Sequence, residues 1–263
     1  MAVVDYQVWI EAMRAREGIR HEGADCTSPA KRKAGEGRIA MCGKFTAMAS
    51  WRRVVSFSRG FTEQARGDER VTYRPMMPLP VIVWDADSKQ RRVLPMRWGF
   101  PALNNFLTPK HIHARSETID TTQAFGPLFH AGRRGIVVMQ TFNEGMELPN
   151  GKTEQWTIDP CDGVPRGFAF LWQGYEMEGA KEPMLACVMV TVPASQLIAP
   201  ITDRMPAIFE DADWATWLGE TGATAEQVKA TLRTMESVNW KMACEPKPVK
   251  PRPSPPAEEP TLF

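Results

Sequence analysis

The stretch "HIHARSETIDTTQAFGPLFHAGRRGIVVMQTFNEG", residues 111–145, carries most of the legible chemistry of the chain. Its opening, "HIHARSET" (111–118), packs two histidines, an arginine and a glutamate into one short segment. Such a segment reads as a surface loop with a helix cap, Ser116 or Thr118. The apolar run "GIVVM" (135–139) has the length and β-branching of a buried strand. Glu144 follows that run by a few residues, a carboxylate at a strand end. Singly, none of these signals separates a solvated loop from a reaction site.

Working outward, further runs read as strands: "LPVIVW" (79–84), "FAFLWQG" (168–174) and "LACVMVTV" (185–192). Two helices are signalled nearer the end. In "EDADWATWLGE", Trp214, Trp217 and Leu218 fall on one helical face. In "TAEQVKATLRTME", Thr224 precedes Gln227 at capping-box spacing. Strands dominate the middle and helices the end, without βαβ alternation, which predicts an α+β fold.

Composition bounds the function. Of 263 residues, 43% are hydrophobic, enough for a real core. With 32 basic and 31 acidic residues there is no global charge to draw nucleic acid, so any such site must be local. No apolar run approaches the roughly 18 residues of a membrane span, and residues 1–40 hold no apolar signal region, so a cytoplasmic protein without membrane association is expected. Cysteines at 26, 42, 161, 187 and 244 are odd in number and form no C-x-x-C pair, which suggests neither a disulfide framework nor a metal site. No cofactor is expected.

The chain divides into three regions. Residues 1–40 hold one helix-like piece, "DYQVWIEAMRA", and then a polar run, and read as a dispensable leader. Residues 41–243 carry nearly all strand and helix signals. Residues 244–263, with "EPKPVKPRPSPPAEEPTLF", read as an extended Pro-rich tail. In "GEGRIAMCGKFTA" (35–47), Met-Cys-Gly looks like the start of a protein. The Gly-Glu-Gly at 35–37 back-translates to a purine-rich element of the kind that precedes a bacterial or phage start codon. If Met41 is that start, its removal leaves Cys42 with a free α-amine beside its thiol.

Read together and in order, these segments resemble the SOS-response-associated peptidase (SRAP) family, the abasic-site processing proteins. Family members begin Met-Cys-Gly-Arg-Phe, and "MCGKF" departs only at Lys44. The family's Trp-Gly segment resembles "MRWGFPA" (96–102), and its Asn-Ala-Arg-x-Glu-Thr motif resembles "HARSET". A Phe-x-Pro-Leu element and a Gly-Arg-apolar strand match "FGPLFHAGRRGIVV" (125–138), and the family's active-site glutamate then falls on Glu144. The His-Asp-Arg-Met-Pro motif resembles "TDRMP". In three further places the chain departs: His113 stands for the family Asn, Thr202 for the family His and Gly145 for a Trp.

The resemblance implies a mixed, mainly antiparallel β core with flanking helices. It also implies a covalent chemistry. The amine of an N-terminal Cys42 attacks the aldehyde of an opened abasic site, and the thiol closes a thiazolidine ring. Glu144 moves protons, while His113 and Thr202 occupy the partner positions. The implied partner is single-stranded DNA containing abasic sites, contacted by Lys44, Arg97, Trp98, Arg115 and Arg204 of a monomer. Two alternatives stay open: a thiol autopeptidase that removes its own leader through Cys42 and Glu144, and a non-catalytic DNA-binding relative. The tail ends in Glu258, Glu259, Leu262 and Phe263, which suits a short peptide docking on a replication or repair protein.

Overall fold

The computed structural model describes the backbone of 44–47 and residues 71–102, 105–177 and 179–245. In chain order come β1 (Lys44–Ala47), β2 (Val71–Tyr73), β3 (Pro78–Asp85) and β4 (Gln90–Trp98). A hairpin of β5 (Phe100–Ala102) and β6 (Asn105–His111) follows, then β7 (His113–Arg115). A 3-10 turn (Ser116–Thr118) and α1 (Gly126–His130) lead into β8 (Arg134–Met139), β9 (Thr141–Glu147) and β10 (Thr153–Pro160). Next come β11 (Arg166–Tyr175), β12 (Met184–Pro193), β13 (Arg204–Pro206) and β14 (Ile208–Phe209). Helices α2 (Asp211–Leu218) and α3 (Ala225–Ala230) precede the last strand, β15 (Trp240–Cys244). The leader, Cys42 and the tail beyond 245 lie outside the described residues.

The architecture is α+β with a mainly antiparallel core. Strands β12, β4, β3, β8 and β11 pair in that order, and β11 returns to β12, so the sheet closes on itself. Closure removes the exposed edges that an open sheet would offer. Strand β12 runs parallel to β4 and β7 and antiparallel to β11 and β13. Its residues Ala186–Val192 are all buried, as the run "ACVMVTV", apolar but for Thr191, suits a strand covered on both faces. Where β8 meets β3, Gly135 makes the close approach: a Cβ there would overlap Val81 Cγ1 and sit 3.2 Å from Ile82 O. The lone register pair joining those strands, Ile82 with Ile136, is its neighbour.

A second sheet runs β15-β10-β9-β1-β2. Phe142 on β9 joins it to the barrel, its ring 6.1 Å from Phe168 and 5.5 Å from Trp240. Trp214, Trp217 and Leu218 of α2 are buried together, as their spacing predicts. Trp217 Nε1 donates to Gly135 O at 2.9 Å, so the helix is bolted to the seam of the barrel. Gly219 ends α2 at φ 93, a left-handed cap that favours glycine. The capping box of α3 is formed: Gln227 N donates to Thr224 Oγ1, and Thr224 N donates to Gln227 Oε1.

Four local expectations change. Helix α3 stops at Ala230, because Thr231 Oγ1 donates to Val228 O at 2.7 Å, the carbonyl the next helical turn needs. "HARSET" is no surface loop. Its first half is β7, buried at His113 and Ala114, and neither Ser116 nor Thr118 caps the following turn. Glu144 lies inside a strand, β9, not beyond the end of one. The last strand also extends through Cys244, and Glu245 N bonds to Gln155 O at 2.7 Å, so both belong to the sheet.

Candidate functional site

The seam between β4 and β7 organises the site. Both strands run parallel to β12, β4 at Ala186 and Cys187 and β7 at Met189, Val190 and Thr191. One stave of the barrel is therefore made of two strands, and the β5–β6 hairpin is the excursion between them. Trp98 ends the first strand and His113 begins the second. Their rings meet edge-on, with centroids 6.2 Å apart. Trp98 is fully buried and its Nε1 donates to Ile112 O at 3.0 Å. This corrects the stacking role expected for Trp98, since the core leaves neither face of the ring open to a base. His113 is buried at the end of that contact.

Two positions along β7, Arg115 is exposed, with no ion pair among the described residues. The next segment turns through Glu117, whose carboxylate takes both terminal nitrogens of Arg204, Nη2 to Oε2 at 2.9 Å and Nη1 to Oε1. Arg204 Nη2 also donates to Thr191 O at 2.7 Å and lies 3.2 Å from Thr191 Oγ1. Arg204 is buried and committed to these acceptors, so its guanidinium acts as a clamp across β12 rather than as a presented cation. Its hydrogen bonds hold the Glu117 carboxyl down at about 2, against a smaller opposing push from burial. Thr202 is buried two residues earlier, its Oγ1 3.5 Å from Arg204 N. His113 and Thr202 thus flank β12 from opposite sides.

Arg97 is half-buried one residue before Trp98, and its Nη1 donates to Phe106 O at 2.6 Å. Burial lowers its pKa, offset in part by Tyr175. The same neighbourhood pushes Tyr175 up to about 12, chiefly through burial.

Glu144 is 2% exposed within β9. It shares a strand face with Phe142 and stands opposite Trp156 of β10. Asn143 points to the other face, where its Nδ2 donates to Thr157 Oγ1 at 2.8 Å and to Glu245 Oε1 at 2.5 Å. Across β9 on its other side lies β1, with Lys44 in register with Asn143. The strand that begins just after "MCG" therefore lies beside the strand that carries Glu144. Asn143 and Thr157 carry no signal in the sequence because β9 and β10 lack an apolar run, and Glu245 falls in the Pro-rich segment that reads as a tail. Among the described residues no group of three or more His, Cys, Asp or Glu could hold a metal ion. No helix there is long and apolar enough to cross a membrane.

The sequence profile described as SOS response associated peptidase (SRAP) matches residues 41–250. The abasic site processing protein YoqW of Bacillus subtilis is 23% identical over 202 residues, covering 75% of this chain and 88% of YoqW. The abasic site processing protein HMCES of Gallus gallus is 26% identical over 182 residues, covering 59% of this chain and 53% of HMCES. A crystal structure of a Bordetella bronchiseptica protein superposes with a TM-score of 0.63 at 20% identity, covering 77% of this chain and 99% of that one. This last likeness concerns the fold.

Proposed function

The chain belongs to the SOS response associated peptidase family, and from that premise we propose that it processes abasic sites in single-stranded DNA by forming a covalent link through Cys42. The register of β1 against β9 is the observation that supports this reading. It sets Lys44 opposite Asn143, one residue from the buried carboxylate of Glu144. Two peptide units separate Lys44 from Cys42, a span of at most about 7 Å.

The chemistry balances without a cofactor. The α-amine of Cys42 adds to the aldehyde carbon of the opened sugar, and loss of one water gives an imine. The thiol then adds to the same carbon, its proton passing to the imine nitrogen, and closes a five-membered ring. An α-amine with a pKa of roughly 7.7 to 8.0 is partly neutral at pH 7, whereas a lysine near 10.4 is not. Glu144 is the general acid and base for dehydration and closure, a role that suits a fixed carboxylate shielded from bulk water. His113 is a further proton carrier at the position of the family Asn. Thr202 offers a hydroxyl for hydrogen bonding but no proton donor of imidazole strength. Slower closure or a less reversible link is the expected result. Arg115 serves as the exposed phosphate contact, with Lys44 and Arg97 as further candidates.

The reading requires a free amine on Cys42. Intact-mass measurement of the natively expressed protein should find a species beginning at Cys42. That species should crosslink abasic single-stranded DNA without borohydride. A protein beginning only at Met1, or one that crosslinks only after reduction, overturns the thiazolidine. Leader loss that is abolished by Cys42→Ala would instead favour autoproteolysis.

A further inference from the structure

We infer that Glu245, the residue that follows the last strand, is a positioning residue for Cys42, its carboxylate holding the ammonium of Lys44 two residues from the nucleophile. This rests on the covalent chemistry proposed above. In the second sheet, β15, β10, β9 and β1 lie side by side in that order. Ala243, Thr157, Asn143 and Lys44 are in register across those four strands, so they share one face. Glu245 stands two residues beyond Ala243 and keeps to that face, its N–H bonded to Gln155 O at 2.7 Å. Glu144, next to Asn143, belongs to the opposite face.

From the end of β15 the Glu245 side chain crosses β10 and arrives at β9. Its Oε1 accepts from Thr157 Oγ1 at 3.0 Å and from Asn143 Nδ2 at 2.5 Å. Asn143 is 3% exposed, and its Nδ2 also donates to Thr157 Oγ1 at 2.8 Å. Both donors are neutral, so they orient the carboxylate without cancelling its charge. The next strand along the row is β1, one spacing of about 4.8 Å further on. The residue in register there is Lys44. A lysine's four-carbon stem spans that gap. Asn143 Oδ1 is buried with no hydrogen-bond partner among the described residues, and it offers the same ammonium a second acceptor.

The need for such a tether is chemical. β1 and β9 are in register from Lys44 onward, and a chain end frays unless something ties it down. Ring closure brings the amine and the thiol of Cys42 to one carbon beside Glu144, and a drifting terminus forfeits the gain of fixed geometry. An ion pair at Lys44 anchors the start of the chain to the end of the domain. It also withdraws Lys44 from the candidate phosphate contacts and leaves that role to the exposed Arg115.

The test uses the Cys42-initiated protein in single-turnover crosslinking at saturating protein. Binding is measured separately, to an oligonucleotide whose abasic aldehyde has been reduced to the alcohol. Glu245→Gln keeps the acceptor oxygen and removes the charge, while Lys44→Met keeps an unbranched stem and removes the ammonium. Each should slow crosslinking about tenfold, part of what misplacing a reacting group costs. Affinity for the reduced site, and its dependence on salt, should stay at the wild-type values. Combining the two changes should slow the reaction about tenfold rather than a hundredfold, since the second removes nothing further. Exchanging the charges, Lys44→Glu with Glu245→Lys, should recover most of the rate, which general damage to the sheet would not allow.

Crosslinking by Glu245→Gln at the wild-type rate overturns the inference, as does a hundredfold loss in the combined variant. So does weaker binding by Lys44→Met with a salt slope reduced by about one, the mark of a phosphate contact. If Glu245→Gln melts early, the Lys44→Met rate and the charge exchange decide the matter alone. In each of these cases wild type still crosslinks, and the proposed function stands. Wild type that fails to crosslink removes the proposed function and the positioning role with it.

Discussion

Arg204 reaches across β12 to hold Glu117 by a two-pronged ion pair, joining two motifs 87 residues apart in the chain. The pair makes a pH-dependent contribution. The folded carboxyl titrates at about 2 against an ordinary 4.5, so its stabilisation is complete above the unfolded value and is lost as pH falls from about 4.5 to about 2. The Glu117 side chain is 47% exposed, so solvent screening limits the effect to about 1 kcal/mol. Glu117→Gln should therefore melt about 2–4 °C lower at pH 7, with the gap to wild type closing toward pH 2. A gap that is constant from pH 7 to pH 2.5 in thermal melts would show that the ion pair is not its source.

Gly135 should tolerate no side chain. A Cβ there would overlap Val81 Cγ1, and the Ile82 carbonyl leaves little room to shift. Gly135→Ala is expected to cost about 1–3 kcal/mol by overpacking at the seam of β3 and β8. Urea unfolding measures this, and an unchanged midpoint would mean that the seam relaxes freely.

For the chemistry, Cys42→Ser should abolish a stable crosslink, because the oxygen analogue closes to a much less stable ring. Glu144→Gln should slow crosslinking by about a hundredfold, the lower range for loss of a general acid–base group, while affinity for an oligonucleotide carrying a tetrahydrofuran, an abasic analogue that cannot open to an aldehyde, stays unchanged. Single-turnover gel assays alongside equilibrium binding make the distinction. Equal crosslinking rates for Glu144→Gln and wild type would misplace the carboxylate.

Thr202→His restores the family residue. It should raise the rate of ring closure or of reversal by about tenfold, part of what acid–base catalysis supplies. Thr202 is buried, so a melting curve should accompany the kinetics. A folded variant with both rates unchanged would show that the hydroxyl already suffices.

Burial pushes the Cys187 thiol well above its ordinary range, while Cys161 is exposed. Alkylation at neutral pH should therefore modify Cys161 and spare Cys187 until the protein is denatured. Peptide mass mapping after brief iodoacetamide treatment reports both sites.

Sequence patterns revealed the strands that are nearly all apolar, such as "LACVMVTV", and the helices with a cap or a one-sided face. They missed β9. "TFNEGME" mixes Phe142 with Asn143, Glu144 and Gly145, because this strand buries polar, hydrogen-bonding groups beside its hydrophobes. The order of motifs pointed to the family, but motif residues are not all contacts. Trp98 and Arg204 sit in the best-matching stretches, yet they pack and brace the barrel. Spacing along a chain does not disclose which side of a strand a residue faces once the sheet curls shut.

The dependence of the barrel on β12 has a consequence during synthesis. Strands β3, β4, β8 and β11 are all made before β12, and the ring cannot close without it. From Val71 to Pro193 the ribosome adds residues at roughly 5–20 per second, so the apolar faces of the early strands wait for several seconds without their last neighbour. Val81, Ile82, Ile136 and Phe170, fully sheltered in the finished protein, are then open to any passing surface. Translation that pauses before codon 184 should lengthen this window and route nascent chains to chaperones or aggregates.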